Sequence, residues 1–250
     1  MNTTKNWSDK TILITGASKG LGKELALLLA VQNPNLILVA RTYDSLLTLQ
    51  KTIKNRTRNT PVIIKCDVSK PDEVKNLATF ISQKYQKLDV LINNAAIAFH
   101  KVSADMEYKE MQEQFETNVY GMFYCVKEML PLIKLSKSGY ILNIGSLVSK
   151  IQFADNSLYA ATKSAVMAYT KGLRLELKKF DIKVGLFQSG LMNTSFQDDR
   201  INWENKIPSF MILNVQKVAN KLKKMIEKKK KTITMYEWMV WIMKLKILFK

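Results

Sequence analysis

The chain has 250 residues, of which 47% are hydrophobic and five are proline, a composition typical of one globular domain and not of a disordered chain. Its formal net charge of +18 is concentrated near the C-terminus, since residues 217–250 hold eleven lysines against Glu227 and Glu237. Because no helix-turn-helix, zinc-finger or RNA-binding signature accompanies this lysine-rich charge, we expect no nucleic-acid partner.

Apolar runs of strand length alternate with helical patterns along the chain. Strands are predicted over 11–15, 35–40, 61–66, 89–94, 139–145 and 182–187, with a seventh over 231–236. Helices are predicted over 21–32, 44–55, 71–85, 106–135, 157–180 and 215–229. This alternation is typical of βαβ units, so we predict a single α/β domain: a doubly wound parallel sheet of about seven strands with helices on both faces.

The first predicted strand runs directly into a glycine-rich turn, "TILITGASKGLG", over residues 11–22. Gly16 suits a turn with positive φ, while Gly20 and Gly22 let the backbone approach a pyrophosphate and let the next helix pack close to the sheet. The helix N-terminus that follows offers N–H groups and a positive dipole end to phosphates. On its own, the pattern is equally consistent with a glycine turn that binds nothing.

Further motifs follow the turn in a fixed order: "CDV" with Asp67, "NNAA" at 93–96, "TNVYG" with Asn118, "LNIGS" with Ser146, and "YAATK" from Tyr159 to Lys163. Together with the turn, they resemble the short-chain dehydrogenase/reductase (SDR) family over most of the chain. The resemblance implies a Rossmann-like fold and an oxidoreductase that reduces a ketone or aldehyde to an alcohol by hydride transfer. Its partner would be a small-molecule carbonyl or alcohol substrate.

The resemblance also implies four catalytic residues, Asn118, Ser146, Tyr159 and Lys163. Tyr159 and Lys163 stand at i and i+4 of one predicted helix and share a face, so we expect the lysine charge to lower the pKa of the tyrosine. Tyr159 would be the general acid/base and Ser146 would hydrogen-bond the substrate oxygen. Lys163 would hold the nicotinamide ribose, and Asn118 would support a proton relay through water.

The end of the second predicted strand, "LILVAR", indicates the choice of cofactor. It lacks the carboxylate that binds a ribose 2′-hydroxyl in NAD sites. Arg41 stands there instead, and Lys19 lies in the glycine turn; both cations suit the dianionic 2′-phosphate of NADP(H). We therefore expect NADP(H) as cofactor and reduction as the working direction. By resemblance, the cofactor-binding residues are Gly16, Ser18, Lys19, Gly20, Leu21, Gly22, Arg41, Asp67, Val68, Asn94, Ala95, Ala96, Tyr159, Lys163 and Thr194.

The chain departs from the family pattern at three places. Ala96 replaces the usual glycine of "NNAG", and Ser189 replaces the proline before the nicotinamide-contacting segment, which puts the rigidity of that loop in doubt. Residues 1–188 would form the core and 189–214 a substrate loop, followed by a lysine-rich and apolar C-terminal segment, 215–250, in place of a glycine-rich end.

The C-terminal segment leaves two interpretations open. Its apolar run at 238–243 is too short to span a bilayer. It either packs against the fold or a partner subunit, or contacts a membrane surface together with its lysines. Membrane contact would favour a lipid or lipid-linked substrate, and a non-catalytic NADP(H)-binding regulator is a further alternative.

The remaining expectations concern assembly, location and single residues. By analogy with the family, the long helices at 106–135 and 157–180 suggest a homodimer. Because residues 1–10 have no apolar core, we expect a cytoplasmic location, peripheral at the membrane if the tail binds there. Cys66 and Cys125 lie in apolar stretches and no metal-ligand set accompanies them, so no metal site is expected. His100, the only histidine, either edges the substrate pocket or is incidental.

Overall fold

A computed structural model describes residues 7–151, 154–194 and 212–237. The strands in these residues are β1 (Thr11–Thr15), β2 (Asn35–Ala40), β3 (Val62–Lys65), β4 (Val90–Asn93), β5 (Tyr140–Ser146), β6 (Lys183–Ser189) and β7 (Thr232–Thr234). They form one parallel sheet in the order β3-β2-β1-β4-β5-β6-β7. The order reverses between β1 and β4, which confirms the doubly wound, Rossmann-like fold and places the ligand-binding crevice at the carboxyl ends of these strands.

The helices in the described residues are α1 (Gly20–Ala30), α2 (Tyr43–Arg56), α3 (Pro71–Tyr85), α4 (Tyr108–Phe115), α5 (Gly121–Lys134), α6 (Ser157–Leu177) and α7 (Val215–Glu227). Single 3₁₀ turns lie at Ser103–Asp105, Leu147–Ser149 and Lys178–Phe180. Apart from the region between β4 and β5, the predicted bounds differ from these by three residues or fewer. The pattern of apolar residues therefore located the elements well.

The helix predicted over 106–135 is found over 108–134, but it is not α-helical throughout. The helix begins at Tyr108, and a π-helical turn, Glu116–Tyr120, separates α4 from α5. A π turn inserts one extra residue into a helix, which the apolar periodicity of a long segment does not reveal. The inserted turn contains Asn118, one of the four predicted catalytic residues.

Two apolar layers cover the two faces of the sheet. Side chains of a strand alternate in direction, so Ile12 and Ile14 of β1 face a layer that includes α1 and α7, while Leu13 faces the layer that includes α3 and α5. All three are fully buried. This two-sided burial is why the strands read as nearly continuous apolar runs in the sequence.

The described part of the C-terminal segment packs on the fold. The apolar face of α7 lies against α1, and β7 pairs with β6. After β7, Tyr236 contacts Leu147 near the carboxyl ends of the strands. Before β7, the carbonyl of Lys230 accepts a hydrogen bond from the hydroxyl of Tyr140, the first residue of β5. Residues 238–250, on which the two interpretations of the tail depend, lie outside the described residues. None of the described helices is long and apolar enough to cross a membrane.

Candidate active site

The glycine turn after β1 is packed tightly against the backbone that follows β4. Gly16 has φ +64, and a Cβ on this residue would lie 2.7 Å from Cα of Ala95. Asn94 holds the turn, since its side-chain amide donates to the carbonyls of Thr15 and Gly16, each at 3.0 Å. A side chain at position 16 would therefore be strained and would push these two segments apart.

The start of α1 is built to accept an anion. A Cβ on Gly22 would lie 2.3 Å from the carbonyl oxygen of Gly16, so only glycine allows the helix to begin this close to the turn. Within the described residues no side chain caps the helix, and its first turn contains no acidic residue to offset the dipole. Lys19 and Arg41 are both exposed. These features fit the diphosphate and the additional 2′-phosphate of NADP(H).

Other predicted cofactor residues lie in the glycine turn and in the segments that follow β4 and β6. Leu21 is buried in the core, so only its backbone can face a ligand, while Ser18 and Ala96 are half-buried. Thr194 approaches the turn: its Cβ lies 3.6 Å from the position of a Cβ on Gly20. The predicted substrate loop, 189–214, is described only at its ends, where Met192 pairs with Leu213, because residues 195–211 lie outside the described part.

Asp67 and Val68 follow β3, as the sequence predicts. A carboxylate oxygen of Asp67 accepts hydrogen bonds from the backbone N–H and the hydroxyl of Ser69, at 3.0 and 2.8 Å. Val68 is buried, and the helix start at Gly121 approaches it so closely that a Cβ there would lie 2.8 Å from its side chain. Asp67 thus stabilises the turn that follows β3.

Asn118 ties the π turn to the segment after β4. Its side chain is buried and bonds the backbone N–H and the carbonyl of Ile97, each at 2.8 Å. Its amide group also lies 3.2 Å from the hydroxyl of Thr162 on α6. The residue therefore joins three elements around the crevice, a role that a position inside a regular helix did not suggest.

Ser146 ends β5, where the strand pairs with the last residue of β6, Ser189. The serine that replaces the family proline is thus part of the sheet and buried, whereas most of the loop that follows it, 195–211, lies outside the described residues. Hydrogen bonds from β6 hold the turn that follows Ser146. The buried amide of Gln188 donates to the hydroxyl of Ser149, and this hydroxyl donates to the carbonyl of Ser146. The Ser146 side chain is held at a defined place beside α6.

Tyr159 and Lys163 share one face of α6 beside Ser146. The ammonium of Lys163 is buried, donates to the carbonyl of Ile144 at 3.1 Å and lies 5.7 Å from the centre of the Tyr159 ring. Burial lowers the pKa of Lys163 to about 8. Burial raises the pKa of Tyr159 above its ordinary value, and a hydrogen bond with Ser146 opposes that rise. The prediction that Lys163 lowers the pKa of Tyr159 was wrong, because desolvation is the dominant effect at this site.

A small cavity lies beside these residues. It has a volume of about 10 Å³, and its lining includes Thr15, Asn93, Asn118 and Lys163. This is room for about one water molecule, and the lining is polar enough to hold it. Asn93 braces the central strands, because its amide donates to the side chain of Asn143 at 2.8 Å.

His100 lies against Tyr159, a contact that the sequence left undecided. The two ring centres are 6.0 Å apart with an interplanar angle of 61°. Nδ1 of His100 lies 3.0 Å from Oδ1 of Asn156, the residue that precedes α6. Sequence reasoning missed Asn156 altogether. The only available signal was that both residues fall in segments that follow strands of the central sheet.

Comparison with known proteins agrees with this architecture. A protein-family model described as short chain dehydrogenase matches residues 10–205. An uncharacterized oxidoreductase of Staphylococcus saprophyticus is 33% identical over 195 residues, covering 77% of this chain and 78% of that protein. An NADP-dependent 3-hydroxy acid dehydrogenase of Schizosaccharomyces pombe is 32% identical over 199 residues, covering 79% and 77%.

The fold has a close counterpart among solved structures. An alcohol dehydrogenase from the archaeon Thermococcus sibiricus, complexed with 5-hydroxy-NADP, superposes with a TM-score of 0.82 at 23% identity. The match covers 90% of this chain and 95% of that one. The likeness therefore extends over nearly the whole fold and beyond the 10–205 range of the family model.

Proposed function

The chain belongs to the short-chain dehydrogenase/reductase family of oxidoreductases, and we propose that it is an NADP(H)-dependent reductase of a ketone or aldehyde. The observation that carries the proposal is that Ser146, Tyr159 and Lys163 lie together at the carboxyl ends of the strands, where the glycine turn also lies. Asn118 borders the same cavity as Lys163. A chain that only sensed the cofactor would have no need of all four groups.

The choice of NADP(H) is supported by charge. An anion at the N-terminus of α1 would meet uncapped N–H groups and no acidic side chain from the first turn. The exposed guanidinium of Arg41 offers a planar set of donors to a 2′-phosphate, and Lys19 adds a second positive charge. The Schizosaccharomyces pombe relative, an NADP-dependent 3-hydroxy acid dehydrogenase, supports the same choice.

The reaction we propose needs a proton at the substrate oxygen. When bound, a reduced nicotinamide cofactor supplies the hydride. Tyr159 gives its hydroxyl proton to the oxygen as negative charge develops there, while Ser146 donates a hydrogen bond to the same atom. Since burial holds the pKa of Tyr159 above its ordinary value, the hydroxyl keeps its proton at neutral pH, as a general acid must.

Tyr159 must regain its proton after each turnover. Lys163, with a pKa of about 8, can give up and take back a proton near neutral pH. The cavity of about 10 Å³ borders both Lys163 and Asn118, and a water molecule there would extend the path away from the tyrosine. Asn118 orients this path through its bonds to Ile97 and Thr162.

The assembly we propose is a homodimer formed through α5 and α6. A cluster of aromatic side chains lies on and beside these helices: Tyr120 of the π turn stacks on Tyr124, and Phe123 contacts Tyr169 with ring centres 4.3 Å apart. Tyr120 is 47% exposed, and Leu175 on α6 is 78% exposed. An exposed apolar cluster is a feature of subunit interfaces, whereas a single exposed apolar side chain is not, so the proposal depends on the aromatic cluster. Sedimentation of the purified chain tests this directly.

The function is tested on the purified full chain with NADPH and a panel of ketones, aldehydes and 3-oxo acids. We expect oxidation of NADPH that depends on the added carbonyl compound, and a fluorescence titration in which NADPH binds more tightly than NADH. Preference for NADH would contradict the assignment of Lys19 and Arg41. Failure to bind either nucleotide would contradict the proposed function as a whole.

A further inference from the structure

The segment after β4 is fixed along α4 and the π turn in a regular manner. Every second residue of the segment donates a hydrogen bond to the helix, and the accepting side chains lie four residues apart. The backbone N–H of Ile97 donates to Asn118 at 2.8 Å and that of Phe99 to Gln114 at 2.6 Å. The ammonium of Lys101 donates to Glu110 at 2.8 Å. Residues four apart lie on one face of a helix, so the segment runs antiparallel along that face. The residue between two of these anchors, His100, bonds Asn156 at the start of α6 instead.

Asn156 bonds the imidazole of His100 and not its own helix. It is the N-cap residue of α6, and asparagine is among the preferred N-caps because its side-chain oxygen accepts a hydrogen bond from the first helical turn. Here the side chain makes no such bond, which forgoes about 1 kcal/mol of helix stabilisation. The residue is buried, and its oxygen lies 3.0 Å from Nδ1 of His100. The side chain of Asn156 therefore bonds the imidazole of His100 in place of the first turn of α6.

We propose that His100 is a positioning residue for Tyr159, held by Asn156 as the neutral imidazole with its proton on Nδ1. The amide oxygen of Asn156 can only accept, so in this orientation Nδ1 must donate. The interplanar angle between the His100 and Tyr159 rings is 61°, which is in the edge-to-face range that aromatic pairs prefer. The proposal rests on the proposed function in one respect, namely that Tyr159 is the acid whose orientation matters.

The surroundings of His100 agree with a neutral ring. Burial lowers the pKa of His100 below its ordinary value, and the bond to Asn156 opposes this only in part. A neutral ring in a fixed orientation limits rotation of Tyr159 and keeps its hydroxyl directed towards Ser146. Misplacement of a reacting group by about 1 Å can cost on the order of a hundredfold in rate.

The protonation state can be measured without any turnover, because His100 is the only histidine in the chain. A full chain free of a histidine tag, labelled with ¹⁵N-histidine, gives one imidazole in a long-range ¹H–¹⁵N spectrum. We expect the pattern of the neutral Nδ1–H tautomer at pH 7 to 8. Asn156→Leu should change this tautomer, and Asn156→Asp, which keeps an acceptor, should preserve a proton on Nδ1. A proton on Nε2 in the wild-type spectrum would overturn the proposal, whether or not the variants fold.

The positioning role is measured by kinetics. His100→Ala should lower kcat by about tenfold or more while KM and the Kd for NADPH stay within about twofold. His100→Phe keeps an aromatic edge against Tyr159 and should restore most of kcat. The matched control is Ser103→Ala, which removes the 2.9 Å bond between the same segment and Ser157 of α6 and should leave kcat within about twofold.

The outcomes separate the two proposals. An unchanged kcat in His100→Ala would overturn the positioning role even with the expected tautomer. A loss in KM instead of kcat would also overturn it, because it would indicate a substrate contact. If the wild-type chain reduces no carbonyl compound, the proposed function fails, and the NMR spectrum still decides how His100 is held.

Discussion

The side chain of Asn118 forms two hydrogen bonds with the backbone of a single residue, Ile97, accepting from its N–H and donating to its carbonyl, both at 2.8 Å. One amide thus satisfies both backbone groups at the point where the chain leaves the sheet after β4. The π turn gives Asn118 this position, and the same turn adjoins the cavity beside Lys163. The geometry of the site therefore depends on an irregular helix.

Replacing Asn118 by alanine should affect stability and turnover together. It leaves the half-buried N–H and carbonyl of Ile97 without this partner, which we expect to cost about 1–2 kcal/mol in the free energy of unfolding. Thermal unfolding and NADPH oxidation measure the two effects. The control is Asn59→Ala, which removes another buried asparagine, bonded to the carbonyl of Pro34 at 2.6 Å near β2. It should lower stability with no loss of kcat; equal losses of kcat in both variants would contradict a specific role for Asn118.

Arg41→Asp should reverse the preference between cofactors. It replaces a cation by an anion at the end of β2, so NADPH should bind at least about tenfold more weakly, since hydrogen bonds to charged groups contribute about 1.5–3 kcal/mol. NADH, which lacks the 2′-phosphate, should change little. Fluorescence titration with both nucleotides measures this, with Arg56→Asp at the exposed end of α2 as the control. An unchanged ratio of affinities would refute the role of Arg41.

Lys163 should reduce the stability of the fold at neutral pH. Its pKa is lowered from 10.5 to about 8 by burial, so between these pH values the unfolded chain binds more protons and stability rises with pH. Below pH 8 the buried charge costs about 3 kcal/mol. Lys163→Met should therefore be more stable than the wild type at pH 7, and the difference should shrink above pH 8. A constant difference from pH 6 to pH 10, in denaturant titrations, would count against the lowered pKa.

Two glycines should respond in opposite ways to the same substitution. Gly16→Ala places a side chain at φ +64 and 2.7 Å from Ala95, so we expect lower stability and loss of NADPH binding. Gly172→Ala on α6 has nothing within 4 Å of the new Cβ and should raise stability by about 0.5–1 kcal/mol. Thermal unfolding of the two variants compares them. Similar Tm changes in both would show that the turn is looser than described.

The sequence predicted the parts of the molecule that depend on local pattern. The glycine turn, the parallel strands and the placing of Ser146, Tyr159 and Lys163 near one edge follow from apolar periodicity and from motif order. The π turn did not, because one inserted residue within 108–134 leaves the apolar pattern intact. The predicted direction of the Tyr159 pKa was wrong because burial is a property of the packed fold.

Tertiary contacts of the segment after β4 were equally hidden. His100 and Asn156 are more than fifty residues apart, and neither belongs to a motif of the family. Their contact depends on the alternating anchors that hold Ile97 and Phe99 to the helix. Pairings between a loop and a distant helix start leave no periodic signal in one sequence.

The central claim is that Tyr159 supplies the proton during reduction, and the substitution Tyr159→Phe tests it most directly. The measurement is the single-turnover rate of NADPH oxidation with an active carbonyl compound, together with the Kd for NADPH. We predict that the rate falls by at least about a hundredfold, as expected for loss of a general acid, while the Kd stays within a few-fold. Tyr169→Phe on the same helix should keep the rate. A Tyr159→Phe enzyme that still turns over at the wild-type rate would contradict the account.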